Sequence, residues 1–410
     1  MMEIPGPVPQ AASSLDRVLN PVIAELGGWV RATPGTLSLA QGMVGWSPPD
    51  GVLSALAVAL QDPDPGLHRY GAVQGEPPLL DAIQRHLRTH HHLDLAGSML
   101  WVTAGSNMAF SAMAQVICGA GAADAAEVIL PLPYYFNHVM AIQLAGGLPV
   151  PVDAGLIPDL ERLEAAITPR TRAIVTVSPN NPSGVVIPQG VLAGINALCA
   201  RRGLFHISDE AYGAFVYGDE PHWSPGSAPG SSAHTISLHS LSKAYGMAFC
   251  RVGFMAAPEQ LTAALAKVQD TVLICPPLPI QRAAVAALQA GPAWVAPRVG
   301  ALADRRRQLL AALAEHQAKG LPVRLLAEPD GAFYALLQIT AGRGQLDADI
   351  LMRRLVLEYR VAAVSGASFG LHGDSHGLVL RLSYGLLDGA DLAEALRRLF
   401  FGIAEILHGI

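Results

Sequence analysis

Cysteine is scarce in this chain. Only four occur among 410 residues, Cys118, Cys199, Cys250 and Cys275, far apart and each in an apolar context. None has metal-ligand spacing. This argues against a disulfide framework or a cysteine metal site and predicts buried free thiols in a reducing compartment. Long apolar runs are also missing. No stretch approaches the roughly 20 residues that span a bilayer, although hydrophobic residues make up 51% of the chain. Much of that content is alanine and leucine in helix-period segments such as 54–60 and 301–314, so a large core and no membrane partner are expected. Basic clusters are absent as well. The net charge is −6 with lysine and arginine scattered, which argues against a nucleic-acid partner. The first residues form neither a basic region nor an apolar stretch, so no signal peptide and a cytoplasmic location are expected.

What is present is a rhythm. Residues 1–12 are proline-rich and read as an arm, and 14–29 read as an amphipathic helix capped by Ser13 or Ser14. A short apolar run at 37–40 ends in Gln41-Gly42. Helices are expected at 52–61 and from Pro77-Pro78 to His90, with Tyr70 in the loop between them. Apolar runs at 99–103, 127–130, 148–152, 173–177, 204–208, 235–239 and 252–256 then read as strands. Between most of them lie helix-period stretches at 107–118, 136–145, 160–167 and 188–201. Short, wholly apolar strands alternating with helices predict an α/β fold with a doubly wound, mostly parallel sheet. After Pro258 the pattern changes to helices at 259–269 and 279–317, strands at 323–326, 332–337, 361–364 and 378–383, and helices at 348–359 and 389–407. The expected organisation is an arm and part of a small domain in 1–50, a large domain in 51–285, and a small α+β domain in 286–410.

In an open α/β sheet, ligands bind at the carboxyl ends of the strands. The residues with chemistry fall there: Gly105-Ser106-Asn107, Tyr135, Asn181, Asp209 with Tyr212, and Lys243. Lys243 sits just past the strand 235–239, after Ser240 and Ser242 and eight residues before Arg251. That placement suits a lysine holding a carbonyl compound as a Schiff base, its pKa lowered by an electropositive, desolvated site. Gly105-Ser106-Asn107 opens a helix whose unpaired amides can seat a phosphate, and Ser240 and Arg251 add to the same anion site. Asp209, at an apolar strand end, needs a cationic partner such as a protonated pyridine nitrogen. Asn181 and Tyr212 can donate to a phenolate oxygen, and the Tyr135 ring can stack on an aromatic cofactor. The cofactor meeting all of these needs is pyridoxal 5′-phosphate.

From about Leu37 onward the chain resembles the fold-type I, class I/II pyridoxal-phosphate aminotransferases of the aspartate aminotransferase superfamily. The resemblance rests on Ser178-Pro179-Asn180-Asn181-Pro182-Ser183-Gly184, Asp209-Glu210-Ala211-Tyr212, Ser240-Leu241-Ser242-Lys243 and Arg251-Val252-Gly253. It implies Asn181 and Tyr212 at the cofactor's 3′-oxygen and Asp209 at its ring nitrogen. It also implies Ser106, Asn107, Ser240 and Arg251 at the phosphate, with Gly105, Tyr135 and Ser242 in the same cofactor site. By the same resemblance Tyr70 reaches the phosphate of a partner subunit, implying a homodimer with its active site at the subunit interface. Arg381 holds the substrate α-carboxylate by a two-pronged contact, Asn181 adds to the substrate site, and the Gln41-Gly42 backbone closes over the substrate.

The expected reaction is transamination between an α-amino acid and a 2-oxo acid, with Lys243 moving the proton and Asp209 and Tyr212 supporting it. Carbon–sulfur lyases share the fold. A ligand-sensing regulatory module is disfavoured by the lack of a basic recognition helix ahead of Gln41. Residues 271–279 carry no charge where aspartate-specific relatives place a second arginine, and Pro133 to His138 weakly resembles plant and cyanobacterial aromatic or methionine aminotransferases. An aromatic or methionine-like donor is therefore expected over aspartate. Some signals are set aside. Gly366-Ala367-Ser368-Phe369-Gly370 fits a hydrolase elbow, but a loop rather than a helix is expected after it. His372, Asp374 and His376 are of metal-ligand type in a glycine-rich loop, and no metal is expected. His90-His91-His92 reads as a solvated helix end, and His138 and His239 receive no role.

Overall fold

Seven of the apolar runs form one sheet in the computed structural model, which describes residues 13–119, 125–218, 221–341 and 346–409. The strand order is Ser98–Thr103, Gly253–Pro258, Thr235–Ser240, Phe205–Asp209, Thr171–Val177, Glu127–Pro131 and Leu148–Val152. All are parallel except Gly253–Pro258, which runs antiparallel to both of its neighbours. Both faces are covered over most of the sheet, which explains why these strands are largely apolar. Val128, Leu130, Ala173 and Val175 pack with Phe110, Met113, Ile142 and Leu265 on one side. Ile129 and Ile174 point the other way and meet Leu163, Ile195 and Leu198. The period of two along each strand thus sorts neighbouring residues into two cores.

A second, antiparallel sheet has the order Val364–Ser365, Leu378–Ser383, Tyr334–Ile339 and Val323–Leu325. The early strand Leu37–Ser38 pairs in parallel with Val361–Ala362. Just beyond it, Leu39 O accepts from Ser383 N at 2.7 Å, and Gly45 N donates to Gly385 O at 3.0 Å. These bonds fix the Gln41-Gly42 turn beside the strand that carries Arg381.

Several expectations need correction. The helix expected at 14–29 is a 3-10 turn, Ser13–Arg17, and a separate helix, Val22–Ala32. Pro21 restricts Asn20 to extended backbone and stops a continuous helix, so Pro21 rather than a serine precedes the helix Val22–Ala32. The helix expected at 279–317 spans Leu278–Ala318 but breaks at Gly291 (φ 63°, ψ −167°), immediately before Pro292. The expected strand 361–364 divides at Ala363, and its two halves pair with different partners. Tyr334–Ile339 begins two residues later than expected because Ala332 holds a left-handed φ of 52°. The loop expected after Gly370 contains a one-turn helix, Gly373–His376. The arm expected at 1–12 lies outside the described residues. Among the described residues no helix is long and apolar enough to cross a membrane.

Candidate active site

The strand ends open into one cavity of about 550 Å³. Its walls bring together Gly42, Ser106, Asn107, Tyr135, Asn181, Asp209, Tyr212, Ser240, Ser242, Lys243, Arg251 and Arg381. Gly105 stands directly behind Ser106 as the residue preceding the helix Ser106–Cys118. Tyr70 is the exception. It is 80% exposed on the surface and does not line this cavity.

One end of the cavity is built to receive an anion. Gly105 takes a φ of 83°, and a Cβ added there would lie 2.7 Å from Arg251 Nη2, so glycine admits the guanidinium to the helix start. Arg251 itself is held left-handed at φ 49°. It donates to Ser242 Oγ at 3.4 Å, Ala248 O at 3.2 Å and Ala104 O at 3.3 Å. Ser240 Oγ accepts from Ser242 N at 3.2 Å, tying it to the serine whose hydroxyl Arg251 meets.

Lys243 lies in the one-turn helix Leu241–Ala244, and its Nζ donates to Gly42 O. Burial, then the charges of Arg251 and Arg381, lower its pKa to about 8. The amine is thereby brought towards its nucleophilic, proton-accepting form near neutrality.

Asp209 is 5% exposed. Its Oδ2 meets His138 Nε2 at 3.1 Å and its Oδ1 accepts from Ala211 N at 3.1 Å. The His138 ring stacks on Phe110 with centroids 3.9 Å apart, so its orientation is set by packing. Above this floor, Tyr135 Oη accepts from Asn137 Nδ2 at 2.8 Å, and burial pushes its pKa up to about 12. The Tyr212 and Tyr334 hydroxyls are 2.8 Å apart, and burial raises both pKa values.

Arg381 is the most telling residue. It is 2% exposed, yet no carboxylate of the described residues pairs with it. Its Nη1 donates to Asn181 Oδ1 at 3.0 Å, its Nη2 donates to Ala40 O, and its Nε has no partner among the described residues. The rings of Tyr334 and Phe369 lie 4.8 and 5.1 Å from the guanidinium carbon. A desolvated cation without a counter-charge costs several kcal/mol, and an entering carboxylate would relieve that cost.

Sequence reasoning missed His138 as the partner of Asp209, Tyr334 as the partner of Tyr212, and the approach of Pro21, Ile23 and Ala24 to the cavity. His138, three residues past Tyr135 at a helix start, gave a weak signal. Tyr334 gave none, because it lies in an apolar strand.

The residues fit pyridoxal 5′-phosphate. The Gly105 cradle with Arg251 and the serines suits the phosphate, buried Asp209 a protonated ring nitrogen, and Lys243 an aldehyde. Arg381, buried and without a carboxylate partner among the described residues, remains for a second anion.

Comparison with known proteins gives the same answer. Residues 42–399 match the family model for aminotransferase class I and II. The aromatic aminotransferase ISS1 of Arabidopsis thaliana is 32% identical over 401 residues, covering 95% of each chain. A probable aspartate/prephenate aminotransferase of Aquifex aeolicus is 32% identical over 366 residues, covering 87% of this chain and 88% of that one. The structure of aspartate aminotransferase from Thermus thermophilus with maleate superposes with a TM-score of 0.84 at 28% identity, covering 96% of this chain and 100% of that one. This chain therefore belongs to the class I and II aminotransferases, fold-type I transferases that use pyridoxal 5′-phosphate.

Proposed function

We propose that this aminotransferase moves the amino group between an aromatic or methionine-like amino acid and a 2-oxo acid, with Lys243 as its catalytic base and acid. The observation that carries the reading is the pairing of a lysine of lowered pKa with a buried, counter-charge-free arginine across one cavity. When bound, pyridoxal phosphate supplies an aldehyde and an electron-withdrawing ring. Lys243 Nζ would be the amine that holds that aldehyde. Lys243 Nζ would then be free to take the proton from the substrate Cα and deliver it to the carbon that had carried the aldehyde, as base and then acid. Asp209, oriented by His138 and the Ala211 amide, keeps the ring nitrogen protonated. Asn181 and Tyr212 donate to the ring oxygen. Arg381 grips the α-carboxylate in two-pronged fashion, so the Cα–H bond faces Lys243. Gly105, Ser106, Asn107, Ser240, Ser242 and Arg251 would hold the phosphate, and Tyr135 would stack on the ring.

The donor preference follows from the rest of the cavity. Ile23, Met43, Phe136 and Tyr334 line it, and Lys243, Arg251 and Arg381 are its only cations among the described residues. All three already have partners in this scheme, which leaves no charge for a distal carboxylate. A phenyl or thioether chain there gains about 0.8 kcal/mol per buried methylene. The name of the Arabidopsis relative supports an aromatic substrate, whereas the Aquifex relative's name favours aspartate with prephenate as a second reading. Measurement of kcat/KM for phenylalanine, tyrosine, tryptophan, methionine and aspartate at saturating acceptor decides between them. The aromatic and thioether donors are expected to exceed aspartate, and aspartate matching or exceeding all four refutes the preference. We also place Tyr70 in a partner subunit's site within a homodimer, a reading supported by its exposure on this chain. The four unpaired cysteines support a reducing, cytoplasmic setting.

A further inference from the structure

Behind the cofactor cavity lies a second one, of about 500 Å³, and the two share Ala211 and Ser240 in their walls. Its lining includes an unusual set of imidazoles. His91 ends the helix Pro77–His90, Glu210 follows the strand Phe205–Asp209, and His239 lies in Thr235–Ser240. Sequence spacing could not join them. The fold places one nitrogen of each histidine and one oxygen of Glu210 within 4.8 Å of one another.

His91 Nδ1 is 3.8 Å from Glu210 Oε2, and the His91 and His239 rings stand edge to face with centroids 4.8 Å apart. His222 Nε2 approaches the same oxygen at 3.2 Å, while Ser224 Oγ donates to the other at 2.8 Å. One carboxylate oxygen is thus held by a hydroxyl and the other is left to the imidazoles. Glu210 is 3% exposed and His239 is 4% exposed, and no lysine or arginine of the described residues pairs with Glu210. His239 Nε2 is buried with no hydrogen-bond partner among the described residues. The run His90-His91-His92, expected to be solvated, therefore turns one of its members inward.

The donor chemistry suits a cation: two imidazoles and one carboxylate converge, and no lysine or arginine of the described residues pairs with that carboxylate. Neutral imidazoles and one carboxylate are the donor set of three-ligand zinc sites, which keep a position open for water. Zinc–ligand bonds of 2.0–2.1 Å place tetrahedral donors about 3.3 Å apart, so donors now within 4.8 Å of one another need to close by up to about 1.5 Å. His91, whose side chain is 14% exposed at the cavity rim, is the one free to swing in.

We propose that His91, Glu210 and His239 bind one divalent transition-metal ion of the zinc class, with His222 as a further imidazole and the cavity as its entry path. Glu210 directly follows Asp209 and His239 directly precedes Ser240, so a metal here ties together two strand ends that face the cofactor.

The test uses chelator-treated holoenzyme, titrated with zinc by calorimetry and with cobalt(II) by its visible ligand-field bands, which also report coordination geometry. One equivalent per chain at about micromolar affinity or tighter is expected. Glu210→Gln and His239→Asn should each weaken binding by about 100-fold or more. His91→Asn, at the rim, gives the same readout in a variant that leaves the buried residues intact. His92→Asn should bind as the parent does. Absence of stoichiometric binding to the parent overturns the proposal, as does undiminished binding in His91→Asn. Binding that is lost with His92 instead marks adventitious capture by the exposed histidines and equally overturns it.

Discussion

Replacing Arg381 by lysine separates substrate recognition from everything else in the site. In the parent chain the guanidinium is anchored through Asn181 Oδ1 and Ala40 O, and it presents a planar, two-pronged face to the cavity. Lysine preserves the charge but is a point donor, and it cannot hold both anchors and both carboxylate oxygens. One charge-assisted hydrogen bond to the substrate is lost, worth about 1.5–3 kcal/mol, and an anchor left unsatisfied in a buried site adds about 1–3 kcal/mol. Together these remove about 2.5–6 kcal/mol from the transition state, or about 10²–10⁴ in kcat/KM for phenylalanine. The control substrate is phenethylamine, which has the same side chain and amine but no carboxylate. Its rate starts low and should change only about fivefold or less, since no two-pronged contact is there to lose. The visible spectrum of the bound cofactor should be unaltered. An equal loss for both substrates would show that Arg381 acts through packing or through the cofactor, and the assignment of its buried charge to the substrate carboxylate would fail.

Two further perturbations address the lysine and the assembly. Between about pH 8 and 10.5, folded Lys243 binds fewer protons than it does in the unfolded chain, so its contribution to stability rises with pH through that window. Cofactor-free Lys243→Met should therefore exceed the parent in stability at pH 7, by at most about 3 kcal/mol, with the gap closing towards pH 10; a denaturant series showing a gap that widens with pH would contradict this. The rate at which cofactor-free parent takes up pyridoxal phosphate should climb with a midpoint near pH 8 and level off above it, and a midpoint near 10.5 would show an unperturbed amine. For the dimer, Tyr70→Ala and Lys243→Ala chains are each expected to be impaired alone. Hybrids of the two should regain about one complete site per dimer, and a mixture no more active than its parts argues against a tyrosine shared across subunits.

The sequence made the catalytic side of the sheet legible because each apolar strand stops sharply at a polar, glycine-containing turn. Lys243, Asp209 and Asn181 are visible for that reason. The antiparallel direction of the strand Gly253–Pro258 was not, since the period of two is blind to direction. Residues 241–252 hold only a one-turn helix and a 3-10 turn, with no crossover helix to return the chain in parallel. Arg381 was recognisable by resemblance, but its lack of a counter-ion is a property of the folded interior. His91 was misread because three adjacent histidines look solvated. The left-handed turn at His92 (φ 54°) carries Leu93 into the core, and His91 is turned towards Glu210 with it. The break at Gly291 was signalled by Gly291-Pro292 and overridden by a long apolar period on either side.

The central claim is that Lys243 is the residue bound covalently by the cofactor, and borohydride reduction followed by peptide mapping tests it most directly. Holoenzyme should absorb at about 400 nm, lose that band on reduction, and yield a single cofactor-bearing peptide modified at Lys243, with no such peptide from Lys243→Ala. A reducible adduct mapped to another lysine, or one that persists in Lys243→Ala, would contradict the account.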